Sequence, residues 1–178
     1  WIARMLDAGE DPRYIMRRLA ILASEDIGNA DPRAASLAES CWSLVERIGM
    51  PEARITIAQC ATYLALAPKS NASYVAIDEA LTDIKRGRTQ PVPVYLRDPN
   101  SSPIQDDEGA SRSMRERDGE RYRYSHAESD GVTDQSYLGV ERSYYRPTDR
   151  GAEKILGERL ERIRAMRIAK RQKEADAR

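Results

Sequence analysis

The sequence predicts an all-α protein, in which a helical bundle is followed by a long irregular wrapping segment and a C-terminal helix. Three observations support this class. Apolar residues recur at helical spacing through residues 1–87. Four prolines between 91 and 103 exclude helix from the start of residues 88–147. A single apolar stripe then returns in residues 148–178, and we expect these three segments to form one domain.

Composition limits the function classes. The chain has 178 residues, of which 40% are hydrophobic and 33% charged; it lacks Phe, and its net charge is zero. Nothing global therefore favours nucleic acid or a membrane as a partner, and no apolar run is long enough to cross a bilayer. Residues 151–178 carry nine basic and five acidic side chains, a net charge of +4, so the C-terminal helix is the basic element. Cys41 and Cys60 lie in apolar helical patterns, typical of buried reduced thiols.

The first helices have clear boundary signals. Asp11 and Pro12 form an N-cap followed by Pro at the first helical position, and an apolar stripe follows them. Gly28 is expected to stop this helix in the left-handed conformation, since glycine reaches it without a Cβ clash. Asp31 and Pro32 repeat the cap-plus-Pro pattern. The next stripe consists of Ala34, Leu37, Ala38, Cys41, Val45 and Ile48.

The fourth and fifth helices follow the stop expected at Gly49. Pro51 starts a helix whose residues 55–67 are apolar almost all round, which is typical of a helix at the centre of a bundle or at a subunit interface. Ser70 or Asn71 is expected to cap the fifth helix. Its inward residues are predicted to be Tyr74, Ile77, Leu81 and Ile84.

Residues 88–147 have less regular signals. Residues 100–121 have the composition of a mobile loop, and five tyrosines between 122 and 145 indicate that the chain then packs again. Thr148 or Asp149 is expected to cap the last helix. Its inward stripe is predicted to be Leu156, Leu160, Ile163 and Met166.

Several stretches, in order along the chain, resemble one family. They are WIARMLDAGEDPRYIMRRL at 1–19, ASEDIGNADP at 23–32, VERIGMPEARITIAQ at 45–59, YLALAPKSNASYVAIDEAL at 63–81, PVPVYLRD at 91–98 and YYRPTDRGAEKILGERLERIR at 144–164. Together they resemble the C-terminal part of the RarA/MgsA family, which are replication-associated AAA+ ATPases related to clamp loaders. The departure lies at 99–121, where this chain has a longer acidic and arginine-rich segment.

The resemblance implies a division of labour. An N-terminal AAA+ domain of the same protein would hold ATP and Mg, and the whole protein would be a DNA-dependent ATPase. The C-terminal domain would be helical and would hold the subunits together as a homotetramer. The resemblance also implies action on DNA at stalled forks beside single-strand-binding protein, in the cytoplasm at the nucleoid. Since the chain begins at Trp1 inside a helical pattern, we expect it to be a piece of a longer protein.

The chain itself has no phosphate-binding motif, and we assign it no catalytic, cofactor-binding or metal-binding residue. Ser24, Glu25 and Asp26 resemble a metal site, but a helix end explains them better because no His or Cys lies nearby. His126 has no nucleophile beside it. Lys69 and Asn71 could contact a phosphate, although a helix C-terminal charge and an N-cap account for both.

Two clusters remain as candidate contacts with DNA or a partner. Tyr122 and Tyr124 alternate with arginines, a pattern typical of a single-strand stacking platform but also of ordinary packing. The last helix carries Arg164, Arg167, Lys170 and Arg171, which form a solvated face, a DNA contact or a contact with an acidic tail. Two hypotheses follow: an oligomerisation domain, or a recruitment module that binds single-stranded DNA or single-strand-binding protein.

Overall fold

A computed structural model of the protein describes residues 1–96, 122–138 and 142–176. These residues contain six α-helices, joined by turns and short helical segments, and no strand, which confirms the predicted all-α class. The helices are α1 (Ile2–Asp7), α2 (Pro12–Leu22), α3 (Arg33–Ile48), α4 (Ala53–Leu66), α5 (Ala72–Lys85) and α6 (Glu153–Asp176). The predicted mobile loop at 100–121, and the departure from the family pattern at 99–121, lie outside the described residues.

The chain divides into two compact units. The first comprises Trp1–Thr82 and Tyr144–Arg159, and the second comprises Asp83–Ser143 and Leu160–Arg178. Helices α5 and α6 therefore contribute residues to both units. The division into segments 1–87, 88–147 and 148–178 that the sequence suggested stays a prediction.

The core of the first unit lies between α2, α3 and α4. Small residues on α3, namely Ala34, Ala38 and Cys41, are buried and allow α3 to pack closely on its neighbours. The larger buried side chains of this core are Ile15, Met16, Leu19, Ile27, Val45, Ile57 and Leu64. The predicted stripe of α3 is confirmed except at its end, where Ile48 is exposed.

Most of the predicted helix boundaries in this unit are confirmed. The Asp11 carboxylate accepts a hydrogen bond from the backbone N–H of Arg13 at 2.8 Å, and Pro12 is the first residue of α2. Asp31 does the same for the N–H of Arg33 at 3.2 Å. Gly49 has a φ of +74° and ends α3.

The joint between α2 and α3 ends where the sequence predicts, but its form differs. Residues Ala23–Ile27 continue α2 as a π-helical turn with Gly28 as its C-cap, and Gly28–Ala30 form a 3₁₀ turn. Gly28 has the expected positive φ of +50°, but its ψ of −133° lies outside the left-handed helical region. A Cβ there would lie 2.9 Å from the Ser70 carbonyl oxygen, so close approach of the backbone adds a second requirement for glycine.

The predicted orientation of α5 is wrong. Tyr74, Ile77, Leu81 and Ile84 are exposed by 44%, 55%, 44% and 58%. The opposite side of the helix, with Ala72 buried and Glu79 partly buried, faces inward instead. Glu79 accepts two hydrogen bonds from the Arg146 guanidinium, at 2.8 and 3.0 Å. An inner surface of small residues and an ion pair therefore replaces the expected apolar contact.

Helix α4 is covered on one face. Ile57, Cys60 and Leu64 are fully buried, while Ile55 is 64% exposed and Leu66 is 88% exposed. The prediction that α4 is buried all round within the bundle is therefore wrong for its outer face. Whether that face lies at a subunit interface stays a prediction.

Helix α6 begins at Glu153, later than the cap predicted at Thr148 or Asp149. The turn before it is closed by the Glu153 carboxylate, which accepts a hydrogen bond from the N–H of Thr148 at 3.1 Å. In the second unit, the buried carboxylate of Asp83 pairs with Arg88 at 2.9 Å and with Arg142 at 2.6 Å. Arg88 and Arg142 both lie in segments without regular secondary structure. Their ion pairs with Asp83 therefore connect these segments to the end of α5.

Candidate functional site

The joint at residues 23–32 is closed by the turn that precedes α6. The N–H of Ala152 donates to the carbonyl oxygen of Ala30 at 2.8 Å. Gly151 has a φ of +51°, and a Cβ on it would lie 2.1 Å from the same oxygen. No other residue type fits this position without moving the backbone. The joint is therefore a packing site within the first unit.

A fully buried carboxylate lies beside this joint. Glu153 accepts hydrogen bonds from the Tyr145 hydroxyl at 2.6 Å and from the Thr148 hydroxyl at 2.6 Å. Ser70 donates a third. Burial raises the pKa of Glu153, but these hydrogen bonds to its charged form outweigh burial, so the pKa is lowered overall. Glu153 therefore stays ionised and fixes three chain segments together.

Among the acidic residues of the joint, Asp31 has contacts that hold the structure together. Glu25 and Asp26 lie on the π-helical turn, and Asp31 accepts hydrogen bonds from Arg33 at 3.0 Å and from the Tyr63 hydroxyl at 2.6 Å. Within the described ranges, no group of three or more His, Cys, Asp or Glu residues could hold a metal ion. His126 is exposed on a short 3₁₀ turn, Ser125–Ala127.

Lys69 and Asn71 occupy the positions that helix ends require. The Lys69 ammonium donates to the carbonyl oxygens of Leu64 at 2.8 Å and Ala65 at 3.2 Å, so it satisfies the C-terminal end of α4. Asn71 precedes α5 and is exposed, while the Ser70 hydroxyl accepts from the N–H of Ala72 at 3.2 Å. The structural interpretation accounts for the contacts of Lys69, while a phosphate contact at Lys69 or Asn71 stays a prediction.

Two exposed apolar surfaces stand out in the first unit. The α5 stripe consists of Tyr74, Ile77 and Leu81, which lie on one side of α5. The α4 outer face is bounded by Ile55 and Leu66. Its exposed members between them are Ala58, Gln59, Thr62 and Ala65.

The predicted tyrosine cluster is partly assembled. Tyr122 and Tyr124 pack edge to face, with ring centroids 4.9 Å apart and an interplanar angle of 86°. Arg123 between them pairs with Asp134 at 2.6 Å and with Glu128 at 3.4 Å. An edge-to-face pair packs well but does not form a parallel slot for a base.

The basic residues of α6 contact segment 122–138. Lys170 pairs with Glu128 at 2.8 Å and with Asp130 at 2.9 Å, and it also donates to the Val132 carbonyl oxygen. The Lys170 ammonium lowers the pKa of both carboxyl groups. Lys170 is thus neither a freely solvated charge nor an open phosphate contact.

The arginines of the same helix also have partners inside the second unit. Arg167 donates to the Gln135 carbonyl oxygen at 2.7 Å, and Arg171 donates to that of Asp134 at 3.3 Å. Arg164 contacts Glu161 and the Ser143 hydroxyl, both at 2.6 Å. These contacts close the basic side of α6 with an acidic peptide segment of the same chain.

Comparison with known proteins identifies the family. A family model described as the C-terminal part of the MgsA AAA+ ATPase matches residues 1–164. The chain belongs to this family. The resemblance found in the sequence is therefore confirmed.

Curated relatives agree with this assignment. An uncharacterized AAA domain-containing protein of Mycobacterium tuberculosis is 47% identical over 96% of this chain and 36% of its own length. Replication-associated recombination protein A is 43% identical in Coxiella burnetii, over 93% of this chain and 37% of the relative. The protein of that name in Escherichia coli K12 is 41% identical, over 90% of this chain and 35% of the relative. The chain thus spans little more than a third of these relatives.

The sequence motifs did not indicate some of the residues that hold the first unit together. Glu153 was missed because an isolated glutamate at a helix start has no sequence signal for burial. Thr148 was a predicted cap, but its contact with Glu153 spans five residues, which is longer than the three-residue spacing of a capping box. None of the described helices combines the length and apolar character needed to cross a membrane.

Proposed function

We propose that this chain is the C-terminal self-association domain of a AAA+ ATPase that acts in DNA replication and recombination, and that four copies assemble. The ATPase domain lies elsewhere in the same protein and holds ATP and Mg. The role of this domain is geometric. It fixes neighbouring ATPase domains at a set spacing on DNA, so that hydrolysis in one subunit is coupled to movement of the next.

The α5 stripe is the observation that carries the proposal. Three large apolar side chains on one side of α5 are each exposed by more than two-fifths. Monomeric proteins rarely leave a contiguous apolar surface of this kind in water, and such surfaces mark interaction sites. A helix pair is a simple way to cover such a stripe, because side chains at spacings of three and four residues interlock with the same stripe on a second copy.

The α4 outer face gives a second apolar surface on a different helix. Burying the side chains of Ile55 and Leu66 stabilises an interface by about 1.5–3 kcal/mol for each. A single two-fold interface produces a dimer, whereas two different two-fold interfaces on one chain produce a tetramer with D2 symmetry. Two separate apolar surfaces therefore support four copies better than two.

The recruitment hypothesis has less support than self-association, because the cations that it requires already have contacts within the chain. Arg164, Arg167, Lys170 and Arg171 all have contacts within the second unit. Lys69 is engaged at the end of α4. Binding of single-stranded DNA or single-strand-binding protein to these cations would first require those contacts to open.

Native mass spectrometry of this chain between one and fifty micromolar tests the proposal. We expect tetramers at the higher concentrations and dimers as the protein is diluted. A monomer throughout this range would contradict the proposed function, because the α5 stripe would then remain in water without a partner.

A further inference from the structure

Helix α1 has apolar residues on two sides, although only one side packs on the bundle. Ile2 and Leu6 pack against the core of the first unit, whereas Trp1 is 92% exposed. A helix that is apolar on more than one side is typical of an element between two packed layers. The core of the first unit supplies one of those layers, and the outer side of α1 is available for the other.

The outer side of α1 borders an open cavity of about 490 Å³. Its lining residues recur at helical spacing, so they lie on one face of α1, and they are Trp1, Arg4, Met5 and Ala8. The Arg4 guanidinium lies over the Trp1 ring, 5.7 Å from its centroid, and so helps to fix the orientation of the ring. Glu10 lines the cavity from the turn after α1. We call this surface the α1 groove.

We propose that the α1 groove is the docking site for the ATPase part of the same polypeptide, so that the two parts are joined rigidly. This inference rests on the proposed function in one respect, namely that an ATPase domain belongs to the same protein. The matching family model describes the C-terminal part of an AAA+ ATPase, and the chain spans little more than a third of its relatives. The larger part of such a protein therefore precedes residue 1 and joins this domain at Trp1, within the groove.

Covalent attachment at Trp1 favours this occupant over a second copy or a separate protein. A segment joined to the edge of a groove by a short connection has an effective concentration there on the order of millimolar. The backbone of α1 also suits a continuing chain. The carbonyl oxygen of Trp1 accepts a helical hydrogen bond from the N–H of Met5 at 2.9 Å, and the Trp1 side chain does not cap the helix. Preceding residues can therefore extend α1 past the groove.

The groove has the composition of the centre of an interface with a polar edge. A tryptophan side chain buries about 150–250 Å² when it is covered, and interfaces between domains of one chain usually bury about 600–1,500 Å². Trp1 and Met5 therefore supply the apolar centre of such an interface, while the exposed side chains of Arg4 and Glu10 supply its edge. A rigid contact here would carry movement of the ATPase domain directly to α1 and the core beneath it.

Fluorine NMR of the full-length protein labelled with 5-fluorotryptophan tests the docking site. The difference in chemical shift between light and heavy water reports the exposure of each ring. For Trp1 this difference should be at least about threefold smaller in the full-length protein than in this chain alone, because a covered tryptophan loses most of its contact with water. Trp42 lies on α3, does not line the groove and serves as the internal control, which should be the same in both proteins.

A charged substitution in the groove provides a matched pair of variants. Ala8→Arg in the full-length protein places a bulky cation in the contact, so the Trp1 difference should return to its value in this chain alone. Ala3→Arg is the control, because Ala3 is exposed on the same helix and does not line the groove. Trp1 should stay covered in that variant. Equal exposure of Trp1 in the full-length protein and in this chain alone would overturn the proposal, as would equal effects of the two substitutions.

The same samples separate this proposal from self-association. If Trp1 becomes covered in this chain alone as its concentration rises, the proposal is wrong and the groove is a contact between copies. Neither substitution lies on α4 or α5, so the oligomer mass is an independent readout. A monomer whose Trp1 is covered in the full-length protein would contradict the proposed self-association and support the docking site. A tetramer whose Trp1 is exposed there would contradict the docking site alone.

Discussion

The α5 stripe and the basic residues of α6 differ in their exposure to solvent. Each departs from the exposure that is usual for its residue types. Tyr74, Ile77 and Leu81 are exposed, although large apolar residues are normally covered. Lys170 is largely covered by carboxylates and a carbonyl oxygen, although lysine is normally solvated. Among the described residues, the chain's own groups therefore contact the charges of α6, whereas the α5 stripe is exposed.

The physical reason is the different cost of leaving each surface uncovered in water. Exposed apolar area costs about 25 cal/mol per Å² relative to burial, and this cost remains at any salt concentration. Exposed ion pairs contribute little and weaken as salt rises. Under the proposed function, the α5 stripe therefore supplies a driving force for assembly that persists as salt rises, whereas the ion pairs of Lys170 weaken.

We expect the largest effect, on self-association, from charged substitutions in the α5 stripe. Ile77→Glu with Leu81→Glu puts two carboxylates on the α5 stripe. Large apolar residues at the centre of an interface often contribute about 2 kcal/mol each, so we expect the two substitutions together to weaken self-association about a thousandfold. Sedimentation velocity measures the shift from tetramer to a smaller species.

The control for this variant is Ser36→Glu with Ser40→Glu, which adds the same two charges to exposed positions of α3. It should assemble as the unaltered chain does. Equal loss of assembly in both pairs would show that net charge, and not the stripe, controls association.

We expect a smaller effect from protonating the carboxylates that contact Lys170. Hydrogen bonds from Lys170 hold the pKa values of Glu128 and Asp130 below their ordinary values of 4.5 and 3.8. Because both pKa values are lowered in the folded chain, the stabilising contact is complete above the ordinary values and is lost as pH falls through the lowered ones. We therefore expect the contact of Lys170 with Glu128 and Asp130 to persist through the ordinary pKa values and to be lost only at lower pH. Carboxyl-carbon NMR measures both pKa values directly.

Lys170→Met provides the comparison for that titration. It removes the ammonium group and keeps a long side chain, so both carboxyl pKa values should rise toward their ordinary values. If they stay where they are in the unaltered chain, Lys170 is not the group that lowers them, and its contact with segment 122–138 is unimportant in solution.

Local signals in the sequence predicted the parts of the fold that depend on neighbouring residues. Asp11 and Asp31 begin helices as expected, and Gly49 ends one, because caps and positive φ angles involve residues only a few positions apart. The π-helical turn Ala23–Ile27 was not predictable. It ends at Gly28, whose backbone lies close to that of Ser70 far along the chain, and such a contact has no local sequence signal.

The orientation of α5 shows why periodicity alone was insufficient. The spacing of Tyr74, Ile77 and Leu81 indicates that one side of the helix is apolar, but it does not say what covers that side. The inner side was decided by Glu79, whose partner Arg146 lies 67 residues away. The same limit applies to Lys170, whose carboxylate partners lie 42 and 40 residues before it.

The accessibility of the stripe in the assembled protein is the most direct test of the central claim. An Ile77→Cys variant can be labelled with a maleimide, because Cys41 and Cys60 are buried and burial raises the pKa of the Cys60 thiol to about 12. At fifty micromolar, labelling at position 77 should be at least about tenfold slower than in a Ser36→Cys control, and the two rates should converge on dilution. Equal rates at every concentration would contradict the claim that the α5 stripe is buried between copies of this chain.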